Sequence, residues 1–343
     1  MPDSDVSAPN RPALPPANPD KSAQSAIWAG EADLDLSIII VSWNVRDLLR
    51  DCLRSVEAGR GALALELIVV DSASTDGSPQ MVRAEFPWVE CVACPENVGF
   101  ARGNNIGLAR ARGRYLLLLN PDTVIHGDAL TRLVNFLEAH PDVGLVGPQL
   151  RNSDGTVQSS RRRFPALATA FFESTWLEKY APESLLRHYY ALDLPDGAPA
   201  DVDWVTGACM MTRREVVQAV GGLDEAYFMY SEELDWCRRI KAAGWRVVYF
   251  PAAQVTHHVG KSSEQAVTQR HINFNRAKLR YFRKYHGRFP AAILRLYLLC
   301  SYLLQIFIEG FKGLIGHKRP LRWQRVRAYW SVIRSGLGPA GYS

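Results

Sequence analysis

Nearly continuous apolar runs recur along the first part of the chain, and polar residues follow them directly. Predicted strands cover residues 36–44, 65–70 and 115–119. A strand centre without polar alternation indicates burial on both faces, as in a parallel sheet covered by helices. Residues 45–57 carry apolar side chains at helical spacing between the first two strands. This strand–helix–strand order predicts an α/β fold built on a parallel sheet.

The periodic pattern continues further along the chain. Apolar spacing predicts a helix over residues 129–139 and a basic, aromatic-rich helix over 264–288. Additional strands are predicted at residues 89–93, 143–146, 202–211 and 245–250. The chain therefore predicts one large α/β unit followed by a helical region.

Polar side chains follow the first strands where each is predicted to end. They are Ser42 and Asn44, then Asp71, Ser74 and Asp76, and finally Asn120 and Asp122. The carboxyl ends of parallel strands meet at one edge, where open α/β sheets bind ligands. Asp122 could hold Mg²⁺ or Mn²⁺ against a phosphate, and Asp71 could accept hydrogen bonds from a nucleobase or ribose. The alternatives are an Asn-Pro-Asp turn at 120–122 and helix capping by Asp76.

A glycine-rich segment at residues 97–107 follows the strand predicted at residues 89–93. Its glycines at 99, 103 and 107 lie four apart, which suits either close helix packing or close approach to a ligand. It matches neither a dinucleotide fingerprint nor a P-loop. Asn97 is a candidate for contacting a ligand at this edge, and Arg102 and Asn104 are candidates for contacting a diphosphate.

Three carboxylates, Glu232, Glu233 and Asp235, lie within four residues at a predicted helix start. One of them could face a cleft as a general base, although the helix dipole alone favours acids there. His257 could complete a metal site begun by Asp122, although a histidine pair with His258 is often structural.

Two further segments are candidates for binding a substrate. The small-residue turn around Gly207, close to Trp204, could admit a sugar. The basic run containing Arg161 could neutralise a phosphorylated substrate, and a solvated basic loop is the alternative.

Composition limits the class of protein. With 343 residues, 47% hydrophobic and 22% charged, the chain is globular and long enough for one large domain or two ordinary ones. The first 33 residues are polar and proline-rich, which predicts a disordered leader without a signal peptide. The six cysteines are scattered, and a cytoplasmic protein with reduced thiols is expected.

Charge is distributed unequally around a net charge of +5. Residues 270–334 hold fifteen Lys or Arg and a single acid. Because this region also contains the apolar stretch 291–308, the expected anionic partner is a membrane surface and not nucleic acid. The stretch is barely long enough to span a bilayer and contains Arg295, so an interfacial or re-entrant helix is predicted. Packing onto the rest of the protein is the alternative.

Seven motifs in order resemble the family 2 glycosyltransferases of the GT-A fold, especially the bacterial rhamnosyltransferase-like branch. The motifs are SIIIVSWN, VVDSASTDGS, NVGFARGNNIG, LLLLNPD, DWVTGACMMTRRE, FMYSEELDWCRR and HHVGKSS. The resemblance implies a Rossmann-like mixed, mainly parallel sheet flanked by helices. The resulting domains are a leader at 1–33, a catalytic domain at 34–263 and a C-terminal region at 264–343 whose helices associate with the membrane.

The resemblance also implies roles for individual residues. Asp71 takes the place of the nucleobase-binding aspartate, with Asp76 in the same loop, and Asp122 that of the metal-binding carboxylate. Glu233 matches the catalytic base, Glu232 and Asp235 complete that motif, and His257 matches the late metal ligand. Two residues depart from the pattern. Asn120 replaces the first carboxylate of DxD, and Glu233 replaces an aspartate, which leaves the base open between Glu232 and Glu233.

The implied activity is inverting, metal-dependent transfer of a sugar to a hydroxyl, with Mg²⁺ or Mn²⁺ as cofactor. The favoured donor is dTDP-rhamnose, and the expected acceptor is a glycan linked to a polyprenyl diphosphate at the inner face of the cell membrane. An inactive glycosyltransferase-like scaffold is the alternative. A sugar nucleotidyltransferase is disfavoured because no glycine-rich, basic loop follows the first strand.

Overall fold

The computed structural model describes residues 34–258, 267–316 and 318–338. The leader predicted over residues 1–33 and the end of the HHVGKSS motif lie outside the described residues.

The described strands and helices alternate through most of the chain. The strands are β1 (Leu34–Ser42), β2 (Leu65–Asp71), β3 (Glu90–Ala93), β4 (Gly113–Leu119), β5 (Thr123–Ile125), β6 (Val143–Arg151), β7 (Arg161–Arg162), β8 (Ala200–Val202), β9 (Trp204–Val205), β10 (Cys209–Arg213) and β11 (Arg246–His257). The α-helices are α1 (Arg46–Gly59), α2 (Ser78–Glu85), α3 (Phe100–Leu108), α4 (Ala129–Ala139), α5 (Leu167–Phe172), α6 (Glu183–Tyr189), α7 (Arg214–Val220), α8 (Glu232–Ala242), α9 (Val267–His286), α10 (Arg288–Leu314) and α11 (Arg319–Ser335).

A mixed sheet organises the described strands in the order β3-β2-β1-β4-β10-β6-β11-β5, with β8 also paired to β11. Strands β3, β2, β1 and β4 are parallel, β10 runs antiparallel between β4 and β6, and β6 and β11 are parallel. Ser42 lies opposite Asp71 in the register of β1 and β2. Because β1 lies between β2 and β4, the chain order reverses there, which is where such sheets bind ligands.

The central strands are buried on both faces, as predicted. Ile39 and Val41 of β1 belong to the core under α3, α7 and α8, whereas Ile38 and Ile40 belong to the core under α1, α2 and α4. All four side chains have at most 9% of their surface exposed. Helices therefore cover both faces and leave the carboxyl edge of the sheet open to ligands.

The glycines of α3 allow this helix to pack directly on β1. A Cβ atom at Gly103 would lie 2.8 Å from Val41 Cγ1, and one at Gly107 would collide with Ile39 Cγ2. Their four-residue spacing thus serves helix packing. Gly99 has a φ of +77°, and a Cβ atom there would lie 2.6 Å from the carbonyl oxygen of Phe228. That close approach holds the start of α3 against the loop before α8.

Two strands extend further than predicted. β6 continues through Pro148 to Arg151, and β11 continues through Pro251 to His257. A register shift between Phe250 and Gln254 in the pairing of β11 with β6 accommodates the proline. Beyond this shift β11 also pairs with β5, and His257 lies opposite Thr123. The extension carries His257 next to the end of β4.

Three helices form the C-terminal region of the described structure. α9 packs on the sheet-containing part, and α10 and α11 pack against each other and against α9. α10 is long and apolar enough to cross a membrane by length and composition, and only 17% of its most apolar stretch is buried. Much of its apolar surface therefore faces outward.

Candidate active site

A cavity of about 520 Å³ opens at the carboxyl ends of β1 and β4. It is a typical size for a small-molecule site. The structure brings seven of the predicted site residues to its wall: Asn97, Asn120, Asp122, Gly207, Glu232, Glu233 and His257. Residues separated by 160 positions along the chain thus surround one space.

Asp122 and His257 face each other on one wall of this cavity. Oδ1 of Asp122 lies 3.4 Å from Nε2 of His257, and Nδ2 of Asn120 lies 3.4 Å from the same ring nitrogen. The backbone N–H of His258 donates to the carbonyl oxygen of Asp122 at 2.8 Å, which fixes the end of β11 to the turn after β4. The Asn-Pro-Asp segment is therefore a turn that also presents a buried carboxylate.

Gln158 orients the imidazole of His257, a role that no pattern in the sequence predicts. Oε1 of Gln158 lies 2.8 Å from Nδ1 of His257. An amide oxygen only accepts hydrogen bonds, so the ring proton resides on Nδ1. The lone pair of Nε2 consequently points toward Asp122, as a metal ligand requires.

The residues at this wall fit a divalent cation that shares its coordination with a diphosphate. Within the described ranges, no three or more His, Cys, Asp or Glu side chains come together to hold a metal, so the protein would supply only part of the coordination shell. Asp122 Oδ1 and His257 Nε2 supply two ligands, and Oδ1 of Asn120 is buried without a described hydrogen-bond partner. Mg²⁺ commonly takes one or two carboxylates and completes its shell with substrate phosphates and water.

Glu232 and Glu233 lie on the cavity wall at the start of α8. Tyr230 and Ser231, which precede them, have φ angles of +75° and +62°. Two successive left-handed non-glycine residues cost on the order of 1–3 kcal/mol each, and such backbone strain clusters at functional sites. Oε2 of Glu232 and Oε2 of Glu233 are both buried without a hydrogen-bond partner among the described residues. Two carboxylate oxygens therefore remain available to a ligand.

The two glutamates differ in their surroundings. Burial, and next the charge of Glu233, raises the pKa of Glu232 well above its usual range. Burial also raises the pKa of Glu233, but backbone N–H donors, including that of Gly207, and the guanidinium of Arg162 oppose this rise. Glu232 therefore holds a proton more firmly, and Glu233 is the carboxylate better suited to act as a base.

Asp235 does not line the cavity. Its Oδ2 accepts a hydrogen bond from Nε of Arg239 at 2.9 Å, and its Oδ1 contacts Nζ of Lys284 at 2.6 Å and Oη of Tyr285 at 2.8 Å. The side chain is fully buried. Asp235 thus fastens α8 to α9 instead of facing an acceptor.

Hydrogen bonds from several of the predicted donor-binding residues join the loops after β1 and β2. Asn44 Oδ1 accepts the backbone N–H of Thr75 at 2.7 Å, and Ser74 Oγ accepts that of Asn44 at 2.9 Å. Asp76 accepts the backbone N–H groups of Arg46 and Ser78 at 2.7 and 3.0 Å. Asp76 therefore serves the starts of α1 and α2, which was the structural alternative.

Asp71 and Ser42 lie at the strand ends beneath these loops. Asp71 Oδ2 accepts the backbone N–H of Ser74 at 2.9 Å. Its Oδ1 and the Oγ of Ser42 are buried without a hydrogen-bond partner in the described part of the chain. A free carboxylate oxygen at this edge is what recognition of a nucleobase would use.

Two predicted donor-binding residues of α3 do not reach the cavity. Arg102 is exposed on the outer surface, with Nη1 at 3.9 Å from Oε1 of Glu96. Asn104 is buried, and its Nδ2 donates to the carbonyl oxygen of Phe100 at 2.9 Å. Both depart from the expected contacts because α3 turns its glycine face toward β1.

The predicted acceptor residues Arg161 and Trp204 also lie outside this cavity. The guanidinium of Arg161 is buried and donates to the carbonyl oxygens of Leu194 and Ala191, with Asp196 at 2.7 Å. Trp204 Nε1 donates to the carbonyl oxygen of Arg163 at 3.0 Å, and the ring lines a smaller cavity of about 100 Å³ behind Glu233. Arg161 is thus a buried structural ion-pair residue and not part of a solvated basic loop.

The wall also includes residues to which the sequence motifs assigned no individual role. Trp43, Phe228 and Met229 provide apolar surface, and Arg270 and Asn273 of α9 close the side opposite the sheet. The helical pattern of α9 gave no sign that its first turns border the site. Only the packing of α9 on α8 reveals this.

The mixed, mainly parallel sheet flanked by helices agrees with the GT-A fold that the motifs predict, and the Asp–His pair and the two glutamates line one cavity at its carboxyl edge. The chain belongs to glycosyl transferase family 2, because the sequence model of that family matches residues 37–221.

The relatives with curated names include rhamnosyltransferases, in agreement with the predicted branch. N-acetylglucosaminyl-diphospho-decaprenol L-rhamnosyltransferase of Mycobacterium tuberculosis is 29% identical over 210 residues, which cover 58% of this chain and 68% of that protein. Rhamnosyltransferase WbbL of Escherichia coli is 29% identical over 171 residues, which cover 47% of this chain and 61% of that protein.

A solved structure supports the fold. Mannosyltransferase PcManGT from Pyrobaculum calidifontis, determined in complex with GDP-Man and Mn²⁺, matches with a TM-score of 0.51 and 18% identity. The match covers 91% of this chain and 92% of that chain. The similarity therefore includes the C-terminal helices as well as the sheet.

Proposed function

We propose that this chain transfers rhamnose, with inversion, from dTDP-rhamnose to a hydroxyl of a glycan carried on a polyprenyl diphosphate. The observation that carries the proposal is that Glu232, Glu233, Asp122 and His257 all line one cavity. Inverting transfer needs a base on the acceptor side and charge compensation on the leaving-group side, and this cavity has residues suited to both.

Glu233 is proposed as the base. Its carboxylate removes the proton of the acceptor hydroxyl while that oxygen bonds to the anomeric carbon. The bond from this carbon to the diphosphate oxygen breaks in the same displacement, and its electron pair leaves with the nucleoside diphosphate. Glu232 beside it binds its proton more firmly, because burial and the neighbouring charge raise its pKa.

Asp122 and His257 are proposed to hold Mg²⁺ or Mn²⁺, and Asn120 borders the same position. A cation bound there would offset the negative charge of the diphosphate. Asp71, through its free Oδ1, is proposed to contact the nucleobase, and Ser42 and Asn97 to border the donor. Asn44, Ser74 and Asp76 would then shape the loops around the donor instead of binding it directly.

The proposed substrates and location rest on two further observations. Two relatives are named as rhamnosyltransferases, and one name specifies a diphospho-decaprenol carrier. The outward apolar surface of α10 and the basic C-terminal region suit a peripheral position on the cytoplasmic face of an anionic membrane. An inactive scaffold is disfavoured, since Asp122, His257 and Glu233 are all present at one cavity.

The test is a donor panel with the full chain. Purified protein receives dTDP-rhamnose, UDP-sugars or GDP-sugars, with Mg²⁺, Mn²⁺ or EDTA, and an N-acetylglucosaminyl-diphospho-polyprenol acceptor in detergent. We expect acceptor-dependent release of dTDP that requires the metal and is lost in Asp122→Ala. Turnover of a different donor would correct the sugar, and turnover unaffected by EDTA and by Asp122→Ala would contradict the proposed metal site.

A further inference from the structure

A second cavity, of about 500 Å³, lies between the loop before α8 and the helices α9 and α10. Five arginines line it, and the described residues of its wall include no carboxylate. These arginines are Arg276, Arg280, Arg283, Arg288 and Arg295. Arginine stays charged in partly desolvated surroundings, and its planar group binds phosphate through two hydrogen bonds at once.

Most of this positive charge is not compensated within the protein. Asp224 lies next to the cavity, and its carboxylate pairs with Arg280 at 2.9 Å and with Lys284 at 3.0 Å. Arg276, Arg283 and Arg288 form no ion pair with any described residue. Nε of Arg276 and Nε of Arg280 are buried without a described hydrogen-bond partner. Such unpaired donors favour an anionic ligand with several oxygens.

The other part of the wall is apolar. Leu296 and Leu299 of α10 and Leu279 of α9 line the cavity. The same face of α10 continues outward with exposed Ile293 and Phe289, which are 45% and 75% accessible. A basic wall beside an apolar helix that opens to the surface suits an anionic head group attached to a hydrocarbon chain.

The second cavity adjoins the candidate active site. Phe228, Met229 and Asn273 line both cavities, so a single layer of side chains separates them. The backbone N–H of Phe100 donates to the carbonyl oxygen of Phe228 at 2.7 Å, which fixes this layer to the start of α3. The second cavity is therefore the immediate neighbour of the cavity that Glu233 lines.

We propose that the arginine-lined cavity binds the diphosphate of the lipid-linked acceptor, with the lipid chain along α10 and the attached sugar reaching past Met229 into the active site. This assignment rests on the proposed function for the identity of the acceptor. The cavity itself requires only a diphosphate joined to an apolar chain.

The probe is farnesyl diphosphate, and the readout is its Kd for the full chain by calorimetry in an uncharged detergent with EDTA. The test variants are Arg276→Gln and the double variant Arg283→Gln/Arg288→Gln, whose two arginines are exposed and can change without disturbing the core. The control is Arg327→Gln/Arg334→Gln, which removes two exposed charges from α11 outside the cavity.

We expect the Kd of farnesyl diphosphate to rise by about tenfold or more in each test variant, because each arginine loses charge-assisted hydrogen bonds. The control and Asp122→Ala should change it less than about twofold, and inorganic pyrophosphate and farnesol should each bind at least about tenfold more weakly. An unchanged Kd in both test variants, or an equal rise in the control, would overturn the assignment. Pyrophosphate binding as tightly as farnesyl diphosphate would overturn the lipid-linked part.

These outcomes are separable from those of the donor panel. Arginine-dependent binding without turnover of any donor would reject the proposed function and leave the diphosphate cavity standing. Turnover of dTDP-rhamnose together with binding that is insensitive to the arginines would reject only the cavity.

Discussion

At the scale of single residues, the site depends on differences between side chains of the same type. Glu232 and Glu233 are adjacent, yet Glu233 receives backbone N–H donors and faces Arg162, which hold its pKa below that of its neighbour. The sequence predicted both acids at a helix start but could not rank them, because their burial and donors come from distant segments. The same limit applies to Arg102 and Asn104, whose directions depend on which face of α3 meets the sheet.

The pH dependence of turnover follows from the raised pKa of Glu233. A base must be ionised, so kcat falls as the pH decreases through this pKa. Because burial raises the pKa, this acid limb should lie above the ordinary glutamate value of about 4.3. A pH profile of kcat at saturating donor and metal measures it, and a limb at or below that ordinary value would contradict the buried environment.

Gln158 provides a second prediction at this scale. Gln158→Leu removes the hydrogen bond that keeps the proton on Nδ1 of His257, so Nε2 no longer points consistently toward Asp122. We expect Mn²⁺ affinity in the presence of dTDP to fall by about tenfold or more, as for other partners of metal-binding histidines. Gln218→Leu, outside the site on α7, is the control for metal titration, and equal affinities in the two variants would refute the role of Gln158.

At the scale of elements, apolar runs and turn residues predicted the central strands and α1, α4 and α8. The strand predicted at residues 245–250 stops before Pro251, a residue that cannot donate a hydrogen bond in a β-ladder. In the structure the strand continues beyond this proline to His257, with a register shift in its pairing with β6. Long-range pairing with β6 and β5 stabilises that extension, and no local sequence pattern predicts this pairing. The glycine spacing of α3, by contrast, predicted either close helix packing or close approach to a ligand. The structure shows that Gly103 and Gly107 serve helix packing.

The packing of α3 on β1 can be tested by adding one methyl group. Gly107→Ala places a Cβ atom against Ile39 Cγ2, so we expect the free energy of unfolding to fall by about 1–3 kcal/mol. Gly310→Ala is the matched control on α10, where no atom of the described residues outside its own stretch of helix lies within 4 Å of the added Cβ and the higher helix propensity of alanine is favourable. Urea unfolding monitors both variants, and equal stability would show that α3 does not contact β1 closely.

At the scale of the whole molecule, charge and apolar surface are concentrated in the C-terminal helices. The sequence predicted this asymmetry, because the asymmetry depends only on which residues occur in each part of the chain. It could not predict that α9 would border the active site through Arg270 and Asn273, or that α10 would extend over Arg288–Leu314. These features arise from the docking of helices far apart in sequence. They connect the proposed membrane surface to the proposed site of transfer.

The outward face of α10 should bind anionic membranes. Phe307 and Phe311 are 67% and 66% exposed, and replacing both with serine should weaken association with phosphatidylglycerol-containing vesicles by about tenfold or more. Leu192→Ser, at an exposed position outside these helices, is the control in cosedimentation. High salt should also weaken binding of the unchanged protein. Equal sedimentation of all three proteins would argue against this surface.

The central claim is that Glu233 is the base of a sugar transfer in the cavity beside Asp122 and His257. Its most direct test is kcat for nucleotide release with saturating donor, metal and lipid-linked acceptor, compared between Glu233→Gln and Glu57→Gln. The second variant makes the same chemical change at an exposed position on α1. We predict that Glu233→Gln lowers kcat by about 10²-fold or more while donor binding is retained, and that Glu57→Gln is unaffected. Similar kcat values in the two variants would contradict the account.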